Sequence, residues 1–224
     1  MMLHKLMKSA AVGALLLAAP AANAAVTVVS GPTPGTTTAT FTPAPGTNTA
    51  VFNFNGFSGN GGPTIPGLTA QLALTLVGVV GNSYQFSYVL TNTTTAPVGS
   101  RISIFGFNAT PNFASVSNIT GPFSLLASGQ QPNGQPNLEY CLKTGANNNN
   151  CTGGGGGGVN TGQSVNGGFW LNFTSPQASL ALSDFSVRYQ SVSGVTGVSS
   201  ASGVPFGLVP EPATWAMMIL GFGL

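Results

Sequence analysis

Charge is what this 224-residue sequence has least of: five Lys and Arg, three Asp and Glu, and one His. His4, Lys5 and Lys8 fall at the extreme N-terminus, which leaves Arg101, Lys143, Arg188, Glu139, Asp184 and Glu211 for everything after it. A chain so close to neutral has no means of neutralising phosphates, so nucleic acid is excluded as a partner. The scarcity of histidine removes the usual base for a Ser or Cys nucleophile. It also removes the His/Cys/Asp/Glu cluster that a zinc-type metal site requires, and a calcium site is short of carboxylates. Glu139 and Asp184 are the two acids left as a glycosidase-like acid and base. The simpler reading pairs Asp184 with Arg188 or Arg101, and Glu139 with Lys143. The expectation is therefore a non-enzyme with no catalytic residues, no metal and no cofactor. Solubility has to come from Asn, Gln, Ser and Thr, and the weak colloidal repulsion favours association with itself or with a matrix.

Cysteine is nearly as scarce, with only Cys141 and Cys151. Their setting is given by the N-terminus, MMLHKLMKSAAVGALLLAAPAANAAV. Lys5 and Lys8 form a positive n-region, Ala10 to Ala19 an apolar h-region, and Ala22-Asn23-Ala24 an A-x-A site. The apolar run is shorter than the roughly 20 residues of a span. This reads as a secretory signal peptide over residues 1–24, cleaved between Ala24 and Ala25. In the oxidising compartment beyond the membrane, Cys141 and Cys151 are expected to form a disulfide.

Sustained helical periodicity is absent from the region after residue 24, and alternation takes its place. Phe52 and Phe54 alternate with Asn53 and Asn55, and Leu72, Leu74 and Leu76 share a face. Tyr84, Phe86, Tyr88 and Leu90 continue in phase beyond Gly81-Asn82, as a hairpin closed by a two-residue turn. RISIFGFNA and SVSNITGPFSLLA add apolar segments on either side of Pro111, with Gly106 marking a bulge or a close backbone approach. In GGFWLNFTS, Phe169, Leu171 and Phe173 lie on one face. In ASLALSDFSVRYQSV the phase slips near Ser183-Asp184, which predicts a bulge. The proline-punctuated start, VTVVSGPTPGTTTATFTPAPGT, reads as an edge segment or lead-in. These strands predict an all-β protein, a single antiparallel β-sandwich of jelly-roll type over residues 25–192. Residues 129–168, with NNNN and the glycine run Gly153 to Gly158, read as a polar insert, and 193–209 as a Gly/Ser linker.

The glycine run lacks the Gly-Lys-Ser/Thr ending of a phosphate cradle and reads as a flexible loop. Trp170 should face opposite to Phe169 and Leu171: pointing inward it is core, and pointing outward it is a platform that stacks on a sugar ring. Asn92, Asn108, Asn118, Asn150 and Asn172 each begin an Asn-x-Ser/Thr triplet. In so Asn- and Thr-rich a chain no site is assigned to them.

Near the end stands VPEPATWAMMILGFGL. Pro210, Glu211, Pro212, Trp215 and Ala216 resemble the PEPxxWA form of the PEP-CTERM sorting signal. Members of that class are taken to be substrates of an exosortase in Gram-negative bacteria. They carry the motif, then a transmembrane helix and an arginine cluster. Here the apolar run after the motif is short and the cluster is absent, so the sorting segment, 210–224, is expected to be truncated. The prolines keep Glu211 in extended backbone open to an enzyme, and Trp215 suits a membrane interface. RISIFGFN, the Cys141 to Cys151 loop and FSVRYQSV look similar to a subgroup called the cistern family. The resemblance implies exosortase as a partner, transient anchoring in the inner membrane, and delivery to the cell surface or extracellular matrix. It also implies a structural or adhesive role in exopolysaccharide and biofilm. The alternative reading is a carbohydrate-binding module for exopolysaccharide.

Overall fold

The computed structural model of the protein describes residues 26–30, 35–43, 48–145, 149–153 and 155–206. Among these residues the chain forms strands and no helix. One sheet has eight strands: β1 (Thr27–Ser30), β2 (Thr37–Phe41), β6 (Gly99–Thr110), β8 (Leu125–Gly129), β9 (Leu138–Lys143), β10 (Val159–Asn160), β12 (Leu180–Ser193) and β13 (Ser200–Gly203). The other has five: β3 (Asn48–Phe54), β4 (Ala70–Val80), β5 (Ser83–Thr91), β7 (Ser115–Thr120) and β11 (Ser164–Asn172).

The larger sheet runs β1-β2-β12-β6-β9-β8, with β10 on β6 and β13 on β12, and the smaller runs β3-β4-β5-β11-β7. Strand β2 lies beside β12, β5 beside β11, and β6 beside β9, all antiparallel. Pairs nested in this way, shared between two sheets, are the arrangement of a jelly roll. The innermost pair departs from it: β8 pairs with β9, and β7 pairs with β11.

Alternation puts one side of every long strand into the space between the sheets. From the smaller sheet come Phe52, Phe54, Leu72, Leu74, Leu76, Tyr84, Phe86, Tyr88, Phe169 and Leu171; from the larger, Phe41, Phe105, Phe107, Tyr140, Leu182, Phe185 and Tyr189. The two sets are in ring contact, with Phe52 stacked on Phe185 at 4.0 Å and Phe41 edge-on to Phe86 at 5.1 Å. Each buried aromatic of this kind contributes on the order of 1.5–3 kcal/mol from area alone. The core is thus an aromatic layer that holds the sheets face to face.

Two local devices make the alternation fit. Val80 pairs with Ser83 across Gly81-Asn82, and Gly81 has φ +58°, the backbone that a two-residue hairpin turn asks of its first central position. In β12 the register shifts between Ser183 and Ser186, and Asp184 takes φ +52°. This bulge lets Leu180 and Leu182 share the core with Phe185, Val187 and Tyr189 despite the slipped phase.

Three expectations from composition are corrected. The stretch 129–168 contains β9, which lies between β6 and β8 and buries Leu138, Tyr140 and Leu142. Its polar flanks hide six residues that are well suited to a central strand. The stretch 193–209 contains β13, with Ala201 and Ser202 almost fully buried, and Val204 and Phe206 hydrogen-bonded to the end of β3. Strand β2 pairs on both sides rather than forming an edge, with β1 taking that position. Pro43, the one described proline of this region, lies outside both strands.

Candidate functional site

Charge is segregated between the two sheets. Among the described residues all five charged side chains, Arg101, Glu139, Lys143, Asp184 and Arg188, lie on β6, β9 and β12 of the larger sheet. The five strands of the smaller sheet carry none.

The outer side of the smaller sheet carries rows of hydroxyls and amides in register, with an apolar row of Val51, Ala73 and Val89 between two of them. Thr49 pairs with Thr75, Thr75 with Ser87, and Ser87 with Gly168. A second row joins Asn53, Gln71, Thr91 and Ser164. Side chains within these rows hold one another: Thr49 and Thr75 hydroxyls lie 2.7 Å apart, Gln71 donates to Asn53 Oδ1 at 3.0 Å, and Thr91 and Ser164 hydroxyls are 2.8 Å apart. Such pairs fix rotamers before any ligand arrives.

Trp170 stands in this surface. Its neighbours Phe169 and Leu171 are fully buried, so alternation turns the indole outward, where it is part-exposed between Gln85 of β5 and Ser117 of β7. Asn172, two residues along the same face, accepts from Ser83 Oγ at 2.6 Å and donates to Ser115 and Ser117 Oγ at 3.2 and 3.0 Å. That amide orders the hydroxyls around the indole. Gly168 leaves low ground beside it, and beyond Gln85 a Cβ at Gly78 would meet nothing within 4 Å.

The outer side of the larger sheet is covered instead of open. Cys141 and Cys151 form a disulfide with Cα atoms 6.0 Å apart, and with Ile104, Ala127 and Leu138 they make a second small apolar cluster. Cations tie the glycine-rich loop over it. Arg101 donates to the carbonyls of Gly155, at 2.9 Å, and Gly157, and Lys143 Nζ donates to the Asn150 carbonyl at 2.8 Å. Lys143 is 1% exposed, and burial lowers its pKa. Burial likewise lowers Arg188 to about 10, while its guanidinium donates to Ser200 Oγ at 2.7 Å and Ser202 Oγ at 3.4 Å. The expected flexible glycine loop is thus held by side chains at several of its carbonyls.

Glu139 and Asp184 meet on either side of β6, at Asn108. The Asn108 amide donates to Asp184 Oδ2 at 2.9 Å, its carbonyl accepts from the Glu139 N–H at 2.6 Å, and Glu139 Oε2 accepts from the Ala109 N–H at 3.1 Å. Burial raises the Glu139 pKa, opposed by the Ala109 hydrogen bond. Both carboxyls are thereby engaged in fixing the bulge and the β6–β9 register. The expected ion pairs are corrected: Asp184 Oδ2 accepts from Asn108 and Ser183 and Glu139 Oε2 from the Ala109 N–H, while Arg101 and Arg188 donate to Gly155, Gly157, Ser200 and Ser202. Asn92, which opens one of the Asn-x-Ser/Thr triplets, is fully buried, and its amide donates to Ser100 and to the Val159 carbonyl.

Where β7 and β8 part company, a cavity of about 310 Å³ opens, lined by Phe113, Val116, Leu126, Glu139, Tyr140 and Asn149 among others. Tyr140 packs against Phe107, Phe113 and Phe169, its hydroxyl is buried without a hydrogen-bond partner, and its pKa is raised well above the usual value by burial.

Ala24, Ala25, Pro210, Glu211, Pro212, Trp215 and Ala216 lie outside the described residues. Among the described residues no three His, Cys, Asp or Glu side chains come together as a metal site, and no helix is long and apolar enough to cross a membrane. No family model, curated protein or solved structure matches the chain.

Proposed function

We propose that this is a secreted, exosortase-sorted protein of the cell surface or extracellular matrix, with a structural and adhesive role in exopolysaccharide. It is delivered by the N-terminal signal and by Pro210-Glu211-Pro212 with Trp215 and Ala216, and is held transiently in the inner membrane. The observation that carries the adhesive part is the charge-free, five-stranded outer face described above. A surface of ordered hydroxyls and amides adheres to a hydrated matrix without needing a catalytic group, and it is insensitive to salt because it carries no charge to screen. The sorting part is tested in the native host. Replacing Pro210, Glu211 and Pro212 with alanine should move the protein out of the surface and matrix fractions into the membrane fraction. An unchanged distribution would contradict the sorting role.

A second reading, a carbohydrate-binding module for exopolysaccharide, is favoured by the position of Trp170 on that face. The indole offers a flat apolar surface with one donor, a pairing suited to sugar rings. Saturable change of tryptophan fluorescence in the parent on titration with the host's extracted polysaccharide is the result expected, together with a calorimetric binding heat that is lost in Trp170→Ala. A linear, non-saturating response of the parent, or a binding heat that Trp170→Ala retains, would oppose it.

A further inference from the structure

From the charge segregation between the sheets, and resting on the carbohydrate-binding reading, we infer that the outer face of the five-stranded sheet takes an uncharged polysaccharide chain laid across the strands, with Trp170 as its stacking post. The class follows from what the face lacks. An acidic glycan seated there would bring carboxylates or sulfates onto a surface with no cation, and desolvating an ion without a partner is costly. The cations that could meet an acidic chain, Arg101, Lys143 and Arg188, belong to the opposite sheet and are engaged there with Gly155, Gly157, Asn150, Ser200 and Ser202. A neutral chain asks only for donors and acceptors, and this face presents both, since hydroxyls and primary amides each supply the two kinds.

The direction follows from the registers. The rows of outward side chains run perpendicular to the strands, through Gln85, Trp170 and Ser117, and through Thr75, Ser87 and Gly168. At about 4.8 Å between strands, the row Thr49, Thr75, Ser87, Gly168 and Thr120 crosses all five strands over about 19 Å, and the Trp170 row beside it crosses four over about 14 Å, long enough for several sugar units. Gly168 lies next to the indole along β11 and presents no side chain on that side, and Gly78 ends the Trp170 row beyond Gln85. The Asn172 hydrogen bonds that fix Ser83, Ser115 and Ser117 supply the preorganisation that makes weak polar contacts count.

The test is affinity electrophoresis of the full chain, as secreted by its host, through gels containing neutral polymers (hydroxyethylcellulose, galactomannan, dextran) or acidic ones (alginate, polygalacturonate), at low and high salt. At least one neutral polymer should retard the protein equally at both salt concentrations, and Trp170→Ala should weaken that retardation about tenfold, equivalent to about 1.4 kcal/mol. Gln85→Ala, which trims the neighbour without touching the core, should weaken it by a smaller factor. Preferential, salt-sensitive retardation by the acidic polymers would overturn the neutral class while leaving carbohydrate binding intact. Retardation by neutral polymers that neither variant changes would overturn the face. Retardation by none of the polymers would fail both this inference and the reading on which it rests.

Discussion

At the scale of single residues, glycine and charge were unequally legible. Gly106 between Phe105 and Phe107 signalled either a bulge or a close approach, and the structure selects the second. A Cβ there would lie 2.4 Å from the Tyr140 carbonyl oxygen and 2.7 Å from Cys141 Cβ. Both atoms belong to the partner strand β9 and cannot swing away. Gly106→Ala should therefore destabilise the protein by about 1–3 kcal/mol, the usual cost of overpacking, read as a lower denaturant midpoint. An unchanged midpoint would contradict the close approach. The bulge itself is on β12, at Asp184, where the slip of the apolar phase had placed it. Charge pairs were illegible because they depend on which strands are neighbours: Asp184 faces Asn108 of β6 and not Arg101 or Arg188. Nothing in the sequence announced that Asn108 would stand between the two acids, since that contact depends on strand order.

At the scale of elements, alternation revealed strands whose two sides differ, such as β4 and β5, and missed those whose sides are both covered. Strand β9 is buried on both faces: Tyr140 and Leu142 point to the main core, Leu138 and Cys141 to the small cluster beneath the disulfide. Its sequence, LEYCLK, gives no clean alternation, and the surrounding Gly, Asn and Gln drew it into a supposed insert. Strand β13, SASG, is too small and polar to signal burial, and is recruited by pairing with β12. Because the disulfide joins β9 to the loop over it, replacing both cysteines with serine should cost about 2.7 kcal/mol of chain entropy. The melting temperature should then fall by about 5–10 °C. Thermal unfolding of the double variant identical to that of the parent would show that the hydrogen bonds from Arg101, Lys143 and Thr144 hold the loop without the disulfide.

At the scale of the whole molecule, the two-sheet architecture was legible from alternation, while the nesting of strands was not, because pairing partners are distant in sequence. One global property follows from the core. All four tyrosines, Tyr84, Tyr88, Tyr140 and Tyr189, are buried, and burial raises the pKa of each, that of Tyr88 to about 12. The unfolded chain releases these protons near pH 10 while the folded chain keeps them, so stability falls as pH rises above about 10. Lys143 and Arg188, with lowered values, act in the opposite direction, but they are two groups against four. Tyrosinate absorbance should accordingly appear in one step together with loss of β-sheet circular dichroism; ionisation of any tyrosine well before unfolding would contradict the packing. The central claim is that this sandwich is exported, sorted and released to an extracellular matrix. Intact-mass analysis of the protein recovered from its native host, in cell-bound and released fractions, tests it most directly. The account predicts a chain that begins at Ala25 and ends at or close to Pro210-Glu211-Pro212. A chain that keeps its residues beyond that motif, whether or not the sorting enzyme is present, would contradict it.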